Sequence, residues 1–232
     1  MRKIGFIGSY DKTDLILYIA KILTVFKNKV LVIDATENQK AKYIIPSINP
    51  TFKYITEFEE IDIAIGFETL EDIMKYLGIT KEEDIEYDIV LVNTDNSKGI
   101  INYKIQEAEK KYFVTSFDVY GLKKSVESLR DVEENLMAKK VYFTNEMSQE
   151  NDEYFNFLFK EYKINWSNEI IYFPLDTEDL EAIYENQKVE KIKFKRLSIP
   201  YKESLAVITS EILNDVNGVQ VRKAIKIIEK GA

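Results

Sequence analysis

Two stretches of this 232-residue chain are apolar at nearly every interior position over the length of a strand: Lys29-Val-Leu-Val-Ile-Asp34 and Asp88-Ile-Val-Leu-Val-Asn93. A strand with one wet face alternates apolar and polar residues. A strand without that alternation is buried on both faces, which happens where helices cover a parallel sheet from two sides. Lys3-Ile-Gly-Phe-Ile-Gly8 is a third such run, closed by a glycine. Between the first two runs in chain order, Leu15, Ile19, Ile22 and Phe26 recur at helical spacing, and Ile16 and Leu23 widen the stripe. Asp11 is the expected N-cap of this helix, with Asp14 three residues on. Together they form a strand, helix, strand unit of about thirty residues with a right-handed crossover.

The alternation continues. The spacing predicts a helix over 69–77, a strand over 111–116, a helix marked by Leu122, Val126, Leu129 and Leu136, a strand over 140–144, a helix over 154–162 and a strand over 169–173. Within residues 47–66, the segments 52–55 and 61–65 read either as an edge hairpin or as an irregular excursion. Eight glycines and four prolines, with no tract of either, leave no linker or low-complexity segment, and no internal repeat stands out. The expected fold is a three-layer α/β/α arrangement with a mostly parallel central sheet, one domain over residues 1–232, with 215–232 as a C-terminal amphipathic helix.

Composition then restricts the chemistry. Without histidine or cysteine the chain can build no Ser-His-Asp or Cys-His site, no thiolate or histidine zinc site and no disulfide. No metal site is assigned. Carboxylates, lysines, tyrosines and hydroxyls remain, and with them phosphate chemistry and hard cations that take oxygen ligands. Forty acidic against 32 basic residues give a net charge of −8, which opposes nonspecific nucleic-acid binding unless the basic residues gather on one face. No signal-peptide pattern and no apolar stretch of membrane-spanning length is present, so a cytoplasmic location is expected.

In parallel sheets ligands sit outside the carboxyl ends of strands, which puts Gly8-Ser-Tyr-Asp-Lys-Thr13 first in line. A phosphate loop needs glycines that turn successive N–H groups inward, a lysine for the terminal phosphates and a Thr for Mg²⁺. Lys12 and Thr13 supply the last two. Tyr10 and Asp11 stand where the glycines belong, and on local reading an ordinary capped helix start is the favoured account of the segment. Asp34 and Asn93 end two other strands, and Asn145 follows a third. Each has a plain structural use, Asp34 capping the next turn and Asn145 satisfying a backbone group.

The order of these pieces resembles the ParA/MinD-type ATPases, a deviant-Walker branch of the P-loop fold. The resemblance rests on Ile4-Gly-Phe-Ile-Gly-Ser9, Lys12-Thr13 and Val30-Leu-Val-Ile-Asp34 with Gln39 following. Tyr87-Asp-Ile-Val-Leu-Val-Asn-Thr94 is similar to the Walker B strand. Tyr112-Phe-Val-Thr-Ser116, Val141-Tyr-Phe-Thr-Asn145 and Phe173-Pro-Leu-Asp176 follow in the family's order, and 201–213 resembles its terminal helix. The likeness implies ATP or ADP with Mg²⁺ as cofactor, Lys12, Thr13, Asp34 and Asn93 at the phosphates, Asp34 positioning attacking water, Asn145 reading adenine, and a homodimer across the nucleotide face.

The chain also departs from that pattern. The signature lysine and the Gly-rich run are missing, Asn93 replaces the Walker B aspartate, and Thr36 replaces the second acid of the Asp-x-Asp segment. Phosphoryl transfer depends on positioning and electrostatic stabilisation, so these losses read against hydrolysis. Degenerate relatives similar to TadZ or CpaE act in localisation and assembly of pili or secretion machines, which implies a protein partner. The alternative is a noncanonical ATPase that positions DNA or a membrane complex. Two basic segments offer surfaces for a partner or for peripheral membrane contact. Lys193, Lys195 and Arg196 lie in 188–197, which alternates as a half-exposed strand or extended segment would. Arg222, Lys223 and Lys226 lie around an apolar stripe of Val221, Ala224, Ile225 and Ile228, similar in style to the family's membrane-targeting helix.

Overall fold

The computed structural model describes residues 1–46, 52–146 and 148–231. In chain order the elements are β1 (Arg2–Ile7), α1 (Thr13–Val25), β2 (Val30–Asp34), α2 (Ala41–Ile44), β3 (Tyr54–Phe58), β4 (Ile61–Ile65), α3 (Leu70–Leu77), β5 (Ile89–Thr94) and α4 (Ser97–Asn102). They continue with β6 (Lys110–Ser116), α5 (Val119–Glu127), β7 (Leu136–Phe143), α6 (Gln149–Phe159), β8 (Ile164–Phe173), α7 (Thr177–Lys188), α8 (Ile199–Leu213) and α9 (Gly218–Gly231). Among the described residues the strands form one eight-stranded sheet in the order β3-β4-β2-β5-β1-β6-β7-β8. Every pairing is parallel except that of β3 with β4.

The unalternating strands are buried on both faces, as their composition requires. Along β2, Val30 and Val32 join a core with Leu15, Ile19 and Ile208, while Leu31 and Ile33 join the opposite core with Ile73, Ile100 and Leu122. The central strand β1 divides in the same way, Ile4 and Phe6 against Ile7. Helix α3 starts at Thr69, whose hydroxyl accepts the Asp72 N–H, and ends at Gly78 with φ 72°, as the sequence indicates.

Several expectations change. The segment 61–65 is strand β4, which pairs with β3 as a hairpin but lies inside the sheet beside β2, so of these two strands β3 alone is an edge; residues 47–51 lie outside the described residues. Leu136 opens β7 and does not extend the helix of Leu122, because its side chain faces the core from the sheet. Strand β8 begins five residues earlier than its apolar core suggests, since Ser167 to Glu169 bulge against β7 and interrupt the pattern. Asp11 is not the N-cap of α1; Lys12 holds that position without a side-chain cap bond, and Asp11 Oδ1 accepts the Thr13 N–H at 3.1 Å.

The alternation of strand and helix ends at β8. Residues 189–197 form no strand and leave the sheet edge to β8; the segment is irregular, with turns at 189–190 and 195–196, and it buries Ile192, Phe194 and Leu197 while the lysines between them stay exposed. Two helices then follow one another. The apolar stripe of α9 packs against α8 and α1, with Val221, Ala224 and Ile225 buried. That stripe belongs to the core, so in this structure it is not free as a membrane-inserting face. Ile225→Ala should therefore lower the unfolding free energy by about 2–5 kcal/mol, read from urea denaturation; an unchanged midpoint would show that α9 is not part of the cooperative fold.

Candidate functional site

Strand β1 delivers the chain to the site through Gly8, whose φ is +118° and whose place leaves no room for a side chain, a Cβ there lying 2.3 Å from the Val114 carbonyl oxygen. The loop that follows is fastened on one side to α5: the Ser9 N–H donates to Ser125 Oγ at 3.0 Å and Ser9 Oγ to the Gly121 carbonyl at 2.6 Å. The Tyr10 ring stacks on Phe143 at the end of β7, with centroids 4.4 Å apart and planes 22° from parallel. Lys12 turns back on its own loop, Nζ donating to the Gly8 carbonyl at 2.6 Å. Its side chain is buried, and burial lowers its pKa to about 8 against the opposing pull of Asp95, Asp11 and Asp34.

Thr13 opens α1 with its hydroxyl accepting from Asn93 Nδ2 at 3.4 Å, while Asn93 Oδ1 is buried without a partner. Asp34 uses both oxygens locally. Oδ1 accepts the Thr36 hydroxyl at 2.6 Å and the Thr36 N–H at 3.2 Å, and Oδ2 accepts the Ala41 N–H at 3.0 Å at the start of α2. Burial pushes its carboxyl pKa up despite those bonds.

These side chains surround a cleft of about 360 Å³, lined by Lys12, Thr13, Thr36, Lys40, Asn93 and Asp95 among others. A second hollow of about 200 Å³ lies beside Phe143, Leu175, Tyr184 and Tyr201. Tyr10, Asp11 and Lys40 line both and so mark their boundary. Lys40 Nζ donates to Asp11 at 2.5 Å and to Asp14 at 3.3 Å, and Gln187 Nε2 reaches both Asp14 oxygens. Burial raises the Asp11 carboxyl, and Lys40 outweighs it to hold the pKa below the usual range.

Compared with solved structures, the chain aligns almost end to end with three proteins among others. MinD of Aquifex aeolicus, in a MinC:MinD cell division complex, matches with a TM-score of 0.57 and 15% identity over 94% of this chain and 97% of that one. The cell division ATPase MinD of Pyrococcus furiosus gives 0.55 and 14% over 93% and 99%. A putative plasmid partition protein of Borrelia burgdorferi, bound to AMPPNP, gives 0.53 and 13% over 93% and 100%. The fold is that of the MinD and ParA ATPases. No protein-family model matches the sequence, and no curated protein matches it.

On this MinD/ParA fold the sequence-predicted residues divide. Lys12, Thr13 and Asn93 share one cleft wall; Asp34 is one hydrogen bond removed, through Thr36. Asn145 stands apart, lining neither hollow, with Oδ1 accepting the Leu175 N–H at 2.7 Å and Nδ2 donating to the Leu175 carbonyl at 3.0 Å. Sequence reading missed Asp95 and Lys40. Asp95 directly follows a strand end and was findable by that rule; Lys40 meets Asp11 only through the fold. Among the described residues no three acidic side chains gather to hold a metal, and no helix is long and apolar enough to cross a membrane.

A magnesium nucleotide would need N–H groups turned inward, a free lysine and an anionic partner for the metal. The residues present do not fit it: four residues separate Gly8 from Thr13 and include a stacked ring and a carboxylate, Lys12 is held by Gly8, and Asn93 carries no charge.

The lowered Lys12 pKa has a definite linkage sign. The unfolded chain takes up this proton near pH 10.5 and the folded chain only near 8, so stability rises with pH between those values. Relative to Lys12→Met, the wild type should gain about 1–2 kcal/mol between pH 8 and 9.5 in denaturant titrations. Parallel pH profiles for the two proteins would show that Lys12 is solvated.

Proposed function

We propose that this chain is a catalytically degenerate protein on the MinD/ParA fold, acting as a localisation or assembly platform for a cytoplasmic protein machine, of the kind that builds pili or secretion systems. In this reading it forms one domain, hydrolyses little or no ATP, and works through a protein partner and a homodimer that needs no nucleotide. Lys12, Thr13, Asp34 and Asn93 are the remnant of the nucleotide site, and Asn145 has become a loop tether.

The observation that carries the reading is that the cleft answers its own charges. Lys12 is bonded to Gly8, Asp34 to Thr36 and Ala41, and Asp11 to Lys40. A ligand entering there would have to break bonds involving charged groups, worth about 1.5–3 kcal/mol each. The MinC:MinD neighbour supports a protein partner by analogy alone. One feature favours the second reading, a noncanonical positioning ATPase: the Asn93 carboxamide meets the Thr13 hydroxyl through Nδ2 and leaves its Oδ1 buried without a partner.

Calorimetric titration with ATP and ADP in Mg²⁺, together with phosphate release, separates the two. The platform reading expects no saturable heat and release no faster than from Lys12→Ala. Micromolar binding together with phosphate release, both abolished by Lys12→Ala, would instead establish the second reading.

A further inference from the structure

Charge is unevenly divided along the chain. Residues 1–187 hold 22 basic and 35 acidic residues, and residues 188–232 hold 10 and 5, so a net −13 precedes a net +5. The fold then brings the two basic segments of this tail together. Residues 191–193 run opposite the end of α9 across a groove of about 470 Å³, closed by the end of α1 and the β3–β4 turn. Its apolar lining is Val25, Ile192, Ile227 and Ile228. Ile227 is 62% exposed, although Ala224 and Ile225 on the same helix are buried.

The cations around this groove differ in their freedom. Lys21 is engaged by Glu59 and Glu60, and Lys191 by Glu59. Arg196 pairs with Glu185, and Arg222 with Glu203 on α8. Lys193, Lys223, Lys226 and Lys230 are exposed and form no ion pair among the described residues. The spacing of Lys223, Lys226, Ile227 and Lys230 puts them on one flank of α9. The result is an apolar floor beside a cationic flank, on a molecule that is otherwise acidic.

Three kinds of anionic surface could meet it, and two fit poorly. A bilayer needs a broad apolar face, and that of α9 is already packed on α8 and α1. A nucleic acid backbone would leave the apolar floor of Val25, Ile192, Ile227 and Ile228 unused. A protein segment that alternates apolar and acidic side chains matches both parts of the surface. We propose that the groove between α9 and residues 191–193 docks an acidic amphipathic segment of a protein partner, with an apolar anchor against Ile192, Ile227 and Ile228 and carboxylates met by Lys193, Lys223, Lys226 and Lys230. This deepens, and rests on, the reading of the chain as an interaction platform.

The test is fluorescence anisotropy of the full chain with a labelled synthetic helix bearing leucines on one face and glutamates on the other. The comparison probes are the same helix with lysines for glutamates, a DNA duplex, and phosphatidylglycerol vesicles by sedimentation. The acidic helix should bind best, weaken with salt, and lose about tenfold or more in affinity both for Lys193→Glu/Lys226→Glu/Lys230→Glu and for Ile227→Asp. All four positions are exposed, and unchanged thermal melts would certify the folds. Equal affinity for wild type and variants, equal binding of the lysine helix, or tighter binding to DNA or vesicles would overturn the docking site. Nucleotide calorimetry is read separately: ATP turnover with peptide binding intact removes the platform reading and leaves the groove, whereas peptide failure with a silent nucleotide site removes only the groove.

Discussion

Burial of the central strands on both faces is the constraint from which the rest of the molecule follows. Helices cover β1, β2 and β5 above and below, so the polar residues at their carboxyl ends emerge into a nearly dry interior. Lys12, Asp34 and Asn93 are each at most 2% exposed. A buried polar group without a partner is costly, and a buried charge more so. Local geometry answers the problem: the Gly8 carbonyl accepts a hydrogen bond from Lys12 Nζ, and the Thr36 hydroxyl and the Ala41 N–H donate to Asp34. Only Asn93 is left half satisfied. The same burial that makes the sheet stable therefore makes the cleft self-sufficient.

The loop chemistry reinforces this. A phosphate cradle concentrates positive potential at a helix N-terminus, as glycine allows backbone N–H groups to converge. Here Asp11 brings a carboxylate to that position and Lys40 crosses from α2's approach to neutralise it, sharing its charge with Asp14. Tyr10 fastens the loop from the other side by stacking on Phe143, at the boundary between the polar cleft and the aromatic hollow. Ser9 is held by α5. A loop tied at three consecutive residues, to α5, to β7 and to Lys40, is shaped by its own side chains.

Much of this fold was legible because its signals are local. The unbroken apolar runs of β2 and β5, and Thr69 with Gly78 around α3, state their structure within a few residues. The errors arose where a local pattern had two meanings. Leu136 continues the helical spacing of Leu122 and Leu129 yet starts a strand, and the polar bulge of Ser167 to Glu169 hid the first half of β8. Residues 191–197 alternate like a strand because Ile192, Phe194 and Leu197 are buried, but no strand pairs with them. In the site, Lys12, Thr13 and Asn93 could be placed from the order of strands. The bond from Lys40 to Asp11 spans 29 residues and depends on how two loops meet, which no periodicity encodes.

The C-terminal helix shows how such an ambiguity is settled by energetics. An amphipathic helix has one apolar face, and here Val221, Ala224 and Ile225 have committed it to α8 and α1. Burial of a Val or Ile side chain is worth about 1.5–3 kcal/mol. Peeling α9 away to reach a bilayer would forfeit this for both Val221 and Ile225, and would also break Arg222 to Glu203 and Lys202 to Glu229. A bilayer could return the apolar part only by accepting the same residues, so the exchange yields no net apolar gain and loses the ion pairs. The remaining outer flank has cations and the exposed Ile227 beside a groove, and the partner segment proposed for it would need no rearrangement of α9.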